Sequence, residues 1–357
     1  MLRRIVPSLA LIGLIASLTF AQQIPPVQTI DLMAETAVAP LLQQAQASVQ
    51  RGDFKAAISL LEQALQQQSQ HKAARKALIQ LLMRQARTQE AADHIETFAR
   101  FYPTDTEPVF LRAALAFQNG QIPQAATFAQ QCLERGDKRA EVYKLLAICE
   151  YLQQQYEKFE LHINAAAKQN PLDADPHYHL GRYFFENKRY AEALTRFTTV
   201  FKLQPDHFKA HYYAGLVYEG QNQLEQAKQA YQTAIGIIDK LKIRYAWPFA
   251  ELGKLLVNED DYERGLGWFY RAVRNDPDSP YAHYGYAKAL FRKEATSEVK
   301  DELLTALKLD PGYADALYLL ARYYQKTGAE QLAKDTFTKF EEIKKNPMPS
   351  PFGVRRW

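Results

Sequence analysis

Apolar residues recur three and four apart along most of the chain, in short runs separated by polar breaks. A helix turns about every 3.6 residues, so each run predicts an amphipathic helix with one face to bury. Residues 175–205 show the pattern most clearly. A first helix is expected over about Pro176–Asn187, with Leu180, Gly181 and Phe184 on one face. A second is expected over about Tyr190–Leu203, with Ala193, Leu194, Phe197, Val200 and Phe201 on one face. Pro205 stops it, because proline has no N–H to donate and drives the preceding residue out of the α region. Such a hairpin cannot bury its own apolar surface and needs neighbours of the same kind.

Those neighbours are present at a fixed period. Pro171 and Pro205 are 34 residues apart, as are Pro277 and Pro311, and Pro103 lies two such periods before Pro171. Small residues keep the same beat at Ala113, Ala147, Gly181 and Gly215, and again at Gly253, Ala287 and Ala321. A second set runs Ala193, Ala227, Gly265 and, two periods later, Ala333. Bulky residues follow at Phe197, Tyr231, Phe269, Leu303 and Phe337. The small positions are where two helix axes cross closely, and the bulky ones fill the gaps beside them. One beat slips: Gly215 and Gly253 are 38 apart, and the extra four residues fall in Ile235–Tyr245. Four residues are about one helical turn, so the second helix of that repeat is expected to be one turn longer, with the array continuing.

A helix–turn–helix of 34 residues, with small residues at positions eight and twenty, a bulky one at twenty-four and proline at thirty-two, resembles the tetratricopeptide repeat (TPR). Nine repeats are expected, starting near Val38, Lys72, Thr106, Ala140, Ala174, Phe208, Ala246, Pro280 and Ala314. The resemblance implies an all-α fold, a right-handed superhelical solenoid of antiparallel helix pairs. Three repeats depart from the pattern: the second is degenerate in its first helix, the fourth carries Phe159 and the eighth Val299 at a position meant for a small residue.

The ends differ from the array. Met1–Arg4 is basic, Ile5–Phe20 is nearly all apolar, and Thr19–Ala21 ends with small residues. This reads as a cleavable secretory signal over 1–21, with Gln22 as the mature N-terminus and an uncleaved signal anchor as the alternative. The protein is therefore expected to be exported, periplasmic or secreted. Residues 22–37 read as a flexible linker, 38–345 as the array, and 346–357 as a proline-rich tail.

Composition narrows the function classes. The net charge of +4 over 357 residues is too small to argue for nucleic acid. Two cysteines, Cys132 and Cys149, make neither a disulfide scaffold nor a zinc cluster; an oxidised pair and buried free thiols both remain open. No nucleophile motif, phosphate loop or HExxH is present, so no catalytic residue, cofactor or metal is expected. His177, His179, His207 and His211 are helical neighbours, but His177, His211 and His283 share the fourth repeat position, where a ring packs between helices.

Function is expected in the groove. In TPR arrays the first helices line the concave side, at repeat positions two, five, nine and twelve. From the fifth repeat onward those positions hold Tyr178, Tyr212, Tyr284 and Tyr318, with Trp247 and Tyr281 at position two and Phe185 and Phe291 at position twelve. Beside them run Arg182, Lys254, Lys288 and Arg322 at position nine. The N-terminal half has a more apolar lining, including Phe110, Ala114, Phe117, Lys144, Ile148 and Tyr151. An aromatic stripe beside a basic one suits a peptide groove, though the tyrosines could instead fill gaps between helices. The asparagines of a two-carboxylate clamp are missing, so an acidic or extended protein segment is expected rather than a chain terminus. The leading reading is an exported, non-enzymatic scaffold that binds an extended or helical protein segment and organises an envelope or secreted assembly. The alternative is binding of cell-wall glycan through the groove aromatics.

Overall fold

The computed structural model describes residues 37–346 apart from Ala295. The expected signal at 1–21 lies outside the described residues, as do the linker and tail except at residues 37 and 346. Eighteen helices and no strand occur among the described residues. None of these helices is long and apolar enough to cross a membrane.

The chain divides into two compact units, meeting at Pro171 and Leu172. The first holds α1 (Ala39–Gln50), α2 (Phe54–Gln67), α3 (Lys72–Arg84), α4 (Thr88–Phe101), α5 (Glu107–Gln118), α6 (Ile122–Glu134), α7 (Ala140–Leu152) and α8 (Tyr156–Gln169). They pack as four hairpins, α1 with α2 through α7 with α8, and each hairpin rests on the next. The second unit holds α9 (Ala174–Glu186), α10 (Tyr190–Leu203), α11 (Phe208–Gly220), α12 (Leu224–Leu241), α13 (Trp247–Asn258), α14 (Tyr262–Asn275), α15 (Pro280–Lys293), α16 (Ser297–Leu309), α17 (Ala314–Lys326) and α18 (Glu330–Lys345). These make five hairpins, with first helices also touching across repeats, α9 on α11, α13 on α15 and α15 on α17. Every first helix begins within one residue of its expected repeat start.

Both ends of each hairpin have a local cause. α4, α8, α10, α14 and α16 each stop two residues before Pro103, Pro171, Pro205, Pro277 or Pro311. The residue between, such as Asn170 at φ −132° and ψ 86°, has left the α region, which the proline ring disfavours for the residue before it. The turn inside the hairpin uses a left-handed residue at repeat position fifteen: Gly52, Ala86, Gly120, Gln154, Lys188, Asn222, Asp260 and Gly328. The next N–H then reaches back five residues, as from Arg189 to the Phe184 carbonyl at 2.8 Å, and satisfies a carbonyl at the helix end. Only three of the eight are glycine, so this turn is invisible to a search for glycine. Repeat eight lacks it, because α15 ends at an extended Glu294.

The slipped beat is a longer helix. α12 has 18 residues where α10 has 14, the four-residue difference expected, and it ends on Lys242 in the left-handed region at φ 54°. Two departures from the small-residue pattern are absorbed by packing. Phe159 is buried edge-on against Tyr151, and Val299 has no exposure. Cys132 and Cys149 are both buried free thiols, and burial pushes the Cys132 thiol up to about 12.

His283 carries a pH-dependent contact between helices. Its Nδ1 is 2.5 Å from a Glu302 carboxylate oxygen on α16, and its Nε2 is 2.8 Å from the Pro277 carbonyl. Burial disfavours the charged ring, but two acceptors favour it more, and the pKa rises above 6.5. A raised folded pKa gives stability that is fully present below pH 6.5 and lost as pH climbs through the folded value. Urea midpoints of the wild type should therefore fall as pH rises from 6.5, and Glu302→Gln should flatten that slope. An unchanged slope in Glu302→Gln would remove this pair as its cause.

Candidate binding groove

The first helices of the unit from Leu172 onward place the expected groove residues unevenly. Tyr178 and Tyr212 are buried. Tyr178 packs on His207 at 4.6 Å between ring centroids, and Tyr212 packs among Tyr213, Tyr231 and Tyr245. Position five in these repeats is taken up by contacts between neighbouring helices, with Tyr213 at position six crowding both rings. Phe185 is half-buried against Tyr213, and Phe291 lies under the Lys326 ammonium at 5.2 Å. Trp247 and Tyr281 stack on each other at 4.3 Å and 20°, giving one ring face each to the pair. Tyr284 is half-buried and Tyr318 is 42% exposed, so the aromatic surface opens toward the last two repeats. In the other unit Phe110, Ala114 and Phe117 are buried too.

The basic stripe divides in the same way. Arg182 lies over the rings of Tyr213 at 5.2 Å and Tyr178 at 5.9 Å, with Glu186 at 3.5 Å. Lys254 Nζ sits 2.5 Å from Glu251 and 2.7 Å from Glu219. Glu251 has no exposure, and the Tyr281 hydroxyl donates to it at 3.2 Å; the Tyr231 hydroxyl donates to Glu219 at 3.0 Å. Burial works against the Lys254 charge, but the two carboxylates outweigh it and raise its pKa. This lysine is therefore consumed by the protein's own anions. Lys288 and Arg322 are different. Both are exposed, with Lys288 Nζ 5.6 Å from the Tyr284 ring and Arg322 Nη1 3.5 Å from the Tyr318 hydroxyl.

Four of the expected residues, Lys254, Tyr281, Tyr284 and Lys288, meet around a cavity of about 590 Å³. Its apolar floor is Val257, Phe269, Gly285 and Ala289, and Glu219, Arg292 and Asp315 complete its charged rim. Arg292 and Asp315 stand at positions thirteen and two of their repeats, so the rule that singled out positions two, five, nine and twelve passes over the first. The buried Glu251 stands at position six and is missed for the same reason. The other expected residues do not reach this cavity.

The histidines cap and wedge helices. His207 Nδ1 accepts the Ala210 N–H at 3.1 Å at the start of α11. His211 stacks on Phe201 at 4.1 Å and meets the Pro205 carbonyl at 2.9 Å. His177 is half-buried, and His179 lies beside Tyr178. Among the described residues no group of three or more His, Cys, Asp or Glu is placed to hold a metal ion.

Comparison with known proteins places this architecture. Over 210 residues the chain is 24% identical to anaphase-promoting complex subunit 3 of Schizosaccharomyces pombe, covering 59% of this chain and 31% of that protein. Over 168 residues it is 26% identical to the protein O-mannosyl-transferase TMTC3 of Homo sapiens, covering 44% and 18%. The chain thus spans less than a third of the length of these relatives. Among solved structures, yeast Tom70 superposes with a TM-score of 0.58 at 15% identity, covering 96% of this chain and 72% of that one. The APC/C hetero-tetramer Cut9–Hcn1 superposes at 0.59 with 13% identity, covering 85% and 58%. At such identities the likeness is one of fold. Matches to the tetratricopeptide repeat cover residues 48–115, 110–174, 160–197, 178–240, 251–298 and 314–347. Together with the stacked hairpins, the proline stops and the small-residue crossings, they make the chain a member of the tetratricopeptide repeat family.

Proposed function

We propose that this protein is a non-enzymatic scaffold that binds an extended or helical segment of another protein along the first helices of its second unit. The observation that carries the reading is the exposed pair Lys288 and Arg322, one repeat apart, Lys288 beside the half-buried Tyr284 on the rim of the 590 Å³ cavity and Arg322 beside the exposed Tyr318. Exposed cations and rigid aromatics give contact area and charge-assisted bonds at small entropic cost. A relative named as a subunit of the anaphase-promoting complex supports a role in assembly. Glycan binding is the weaker reading, since it needs free ring faces, and Tyr178, Tyr212 and Tyr281 are buried while Trp247 gives one face to Tyr281.

We place the scaffold outside the cytoplasm, on the strength of the basic and apolar opening of the chain. N-terminal sequencing of the protein from its own cells should begin at Gln22; a retained Met1 would point to the uncleaved anchor. The groove itself is tested by Lys288→Glu with Arg322→Glu. Cross-linked partners recovered from cells should drop about tenfold or more, with the helical circular dichroism unchanged. Undiminished recovery would overturn the groove assignment. Arg182 and Lys254 are left out of this variant because both are engaged within the fold.

A further inference from the structure

The cavity lies where α15 carries small residues at two places where its counterparts carry larger ones. At repeat position six the other four repeats of this unit carry His179, Tyr213, Glu251 and Leu319, and α15 carries Gly285. At position ten they carry Tyr183, Val217, Leu255 and Tyr323, and α15 carries Ala289. The two positions are four apart on one helix face, and both line the cavity, or notch. The Phe269 ring comes so close that a Cβ on Gly285 would lie 2.5 Å from it, and that ring forms the floor. A hollow of about 590 Å³ in volume has room for a large apolar side chain and its flanking backbone.

The charges around the notch are not symmetric. Lys254 is held by Glu219 and Glu251. Lys288 and Arg292 stand three and seven residues beyond Gly285 on the same helix, and both are exposed. Arg292 donates to the Val257 carbonyl at 3.2 Å and lies 4.0 Å from the exposed Asp260. Asp315 and Glu219 make the rest of the rim negative. Three to seven helical residues are roughly 4.5–10 Å of axis. Alternate residues of an extended chain are about 6.6–7 Å apart.

We propose that the notch is a specificity pocket for an extended peptide segment with one large apolar side chain and a single carboxylate two residues from it. The proposal rests on the groove reading above. The apolar side chain sits on Phe269 between Gly285 and Ala289, and the carboxylate meets Lys288 and Arg292. A run of acids is disfavoured, because Glu219 and Asp315 would face the additional charges.

The test is fluorescence anisotropy of the full chain with labelled eleven-residue peptides built on Gly and Ser. The centre is Leu, Phe or Ala, with Asp, Ser or Lys two residues away, and an all-Asp peptide serves as the charge control. Peptides combining Leu or Phe with one Asp should bind at least about tenfold tighter than those with Ala at the centre, the scale expected for burying such a side chain. Ala289→Leu should abolish that preference; Leu255 already fills the equivalent place on α13, so the variant is compatible with the stack. Lys288→Ser with Arg292→Ser should abolish the preference for Asp over Lys and keep the preference for Leu over Ala. Equal binding of Leu and Ala peptides, binding of the all-Asp peptide as tight as the best mixed one, or indifference to Ala289→Leu would each overturn the pocket. So would the absence of binding by every peptide. The groove reading fails separately, on undiminished partner recovery by the Lys288→Glu, Arg322→Glu protein.

Discussion

Gly265→Leu should lower the urea midpoint of unfolding by an amount worth at least about 1–3 kcal/mol, the usual cost of overfilling a packed core. The crossing of α13 and α14 is the one helix pair in the array with glycine at both small positions, Gly253 and Gly265. A Cβ on Gly265 would lie 2.8 Å from the Gly253 carbonyl oxygen, and one on Gly253 would lie 2.9 Å from that of Gly265. Each glycine thus faces backbone, which cannot rotate away, so the helices must separate. Leucine's better helix propensity returns less than about 1 kcal/mol and does not offset this. Gly181 offers the contrast. The three atoms nearest its added Cβ all belong to the Phe197 ring, the closest at 2.5 Å. Gly181→Leu should also destabilise by about 1–3 kcal/mol, but Phe197→Ala should recover part of that loss by making room. No single side-chain trim should rescue Gly265→Leu. Chemical denaturation followed by circular dichroism measures all of these, and an unchanged midpoint in Gly265→Leu would mean that the two helices are not in this register.

Lys254→Met should destabilise the protein by about 3 kcal/mol, the low end of the range for removing one partner of a buried ion pair. The low end applies because the Lys254 side chain is 27% exposed, whereas Glu251 has no exposure at all. Without the lysine, Glu251 keeps the Tyr281 hydroxyl, and a buried carboxylate loses its counter-charge. Glu251→Gln in the Lys254→Met background should restore much of the loss, because an amide is far cheaper to bury than an unpaired anion. Equal midpoints for Lys254→Met and the wild type would show that the Glu219–Lys254–Glu251 group contributes no net stability. The consequence for function is direct. A partner lost from a Lys254 variant can be lost through unfolding, whereas Lys288 and Arg322 can be changed with little effect on packing.

The candidate site was legible in outline. Lys254, Tyr281, Tyr284 and Lys288 were expected on one surface from repeat positions alone, and they line one cavity. The same rule also selected Tyr178 and Tyr212, which the structure buries, because a repeat position does not reveal how closely the next first helix approaches. It selected Lys254 as a free cation, though Glu251 lies three residues before it and Glu219 one repeat earlier. Comparing position six across repeats would have revealed Gly285, and with it the notch, since that signal lies wholly in the sequence.

The sequence by itself determined the unit of construction and its register. Helix faces, proline stops and small-residue crossings are properties of neighbouring residues along the chain, and they recur whatever the surroundings. That is why every first helix begins within one residue of its expected start, and why four extra residues could be read as one added turn in α12. Only the tertiary structure decided which of those faces remain open. Whether Tyr212 packs or binds depends on side chains a whole repeat away, and whether Lys254 is paired or available depends on Glu219 one repeat earlier as well as on Glu251 beside it on the same helix. Burial and pairing are sums over spatial neighbours, and the chain's period brings those neighbours together without naming the charge or bulk they carry.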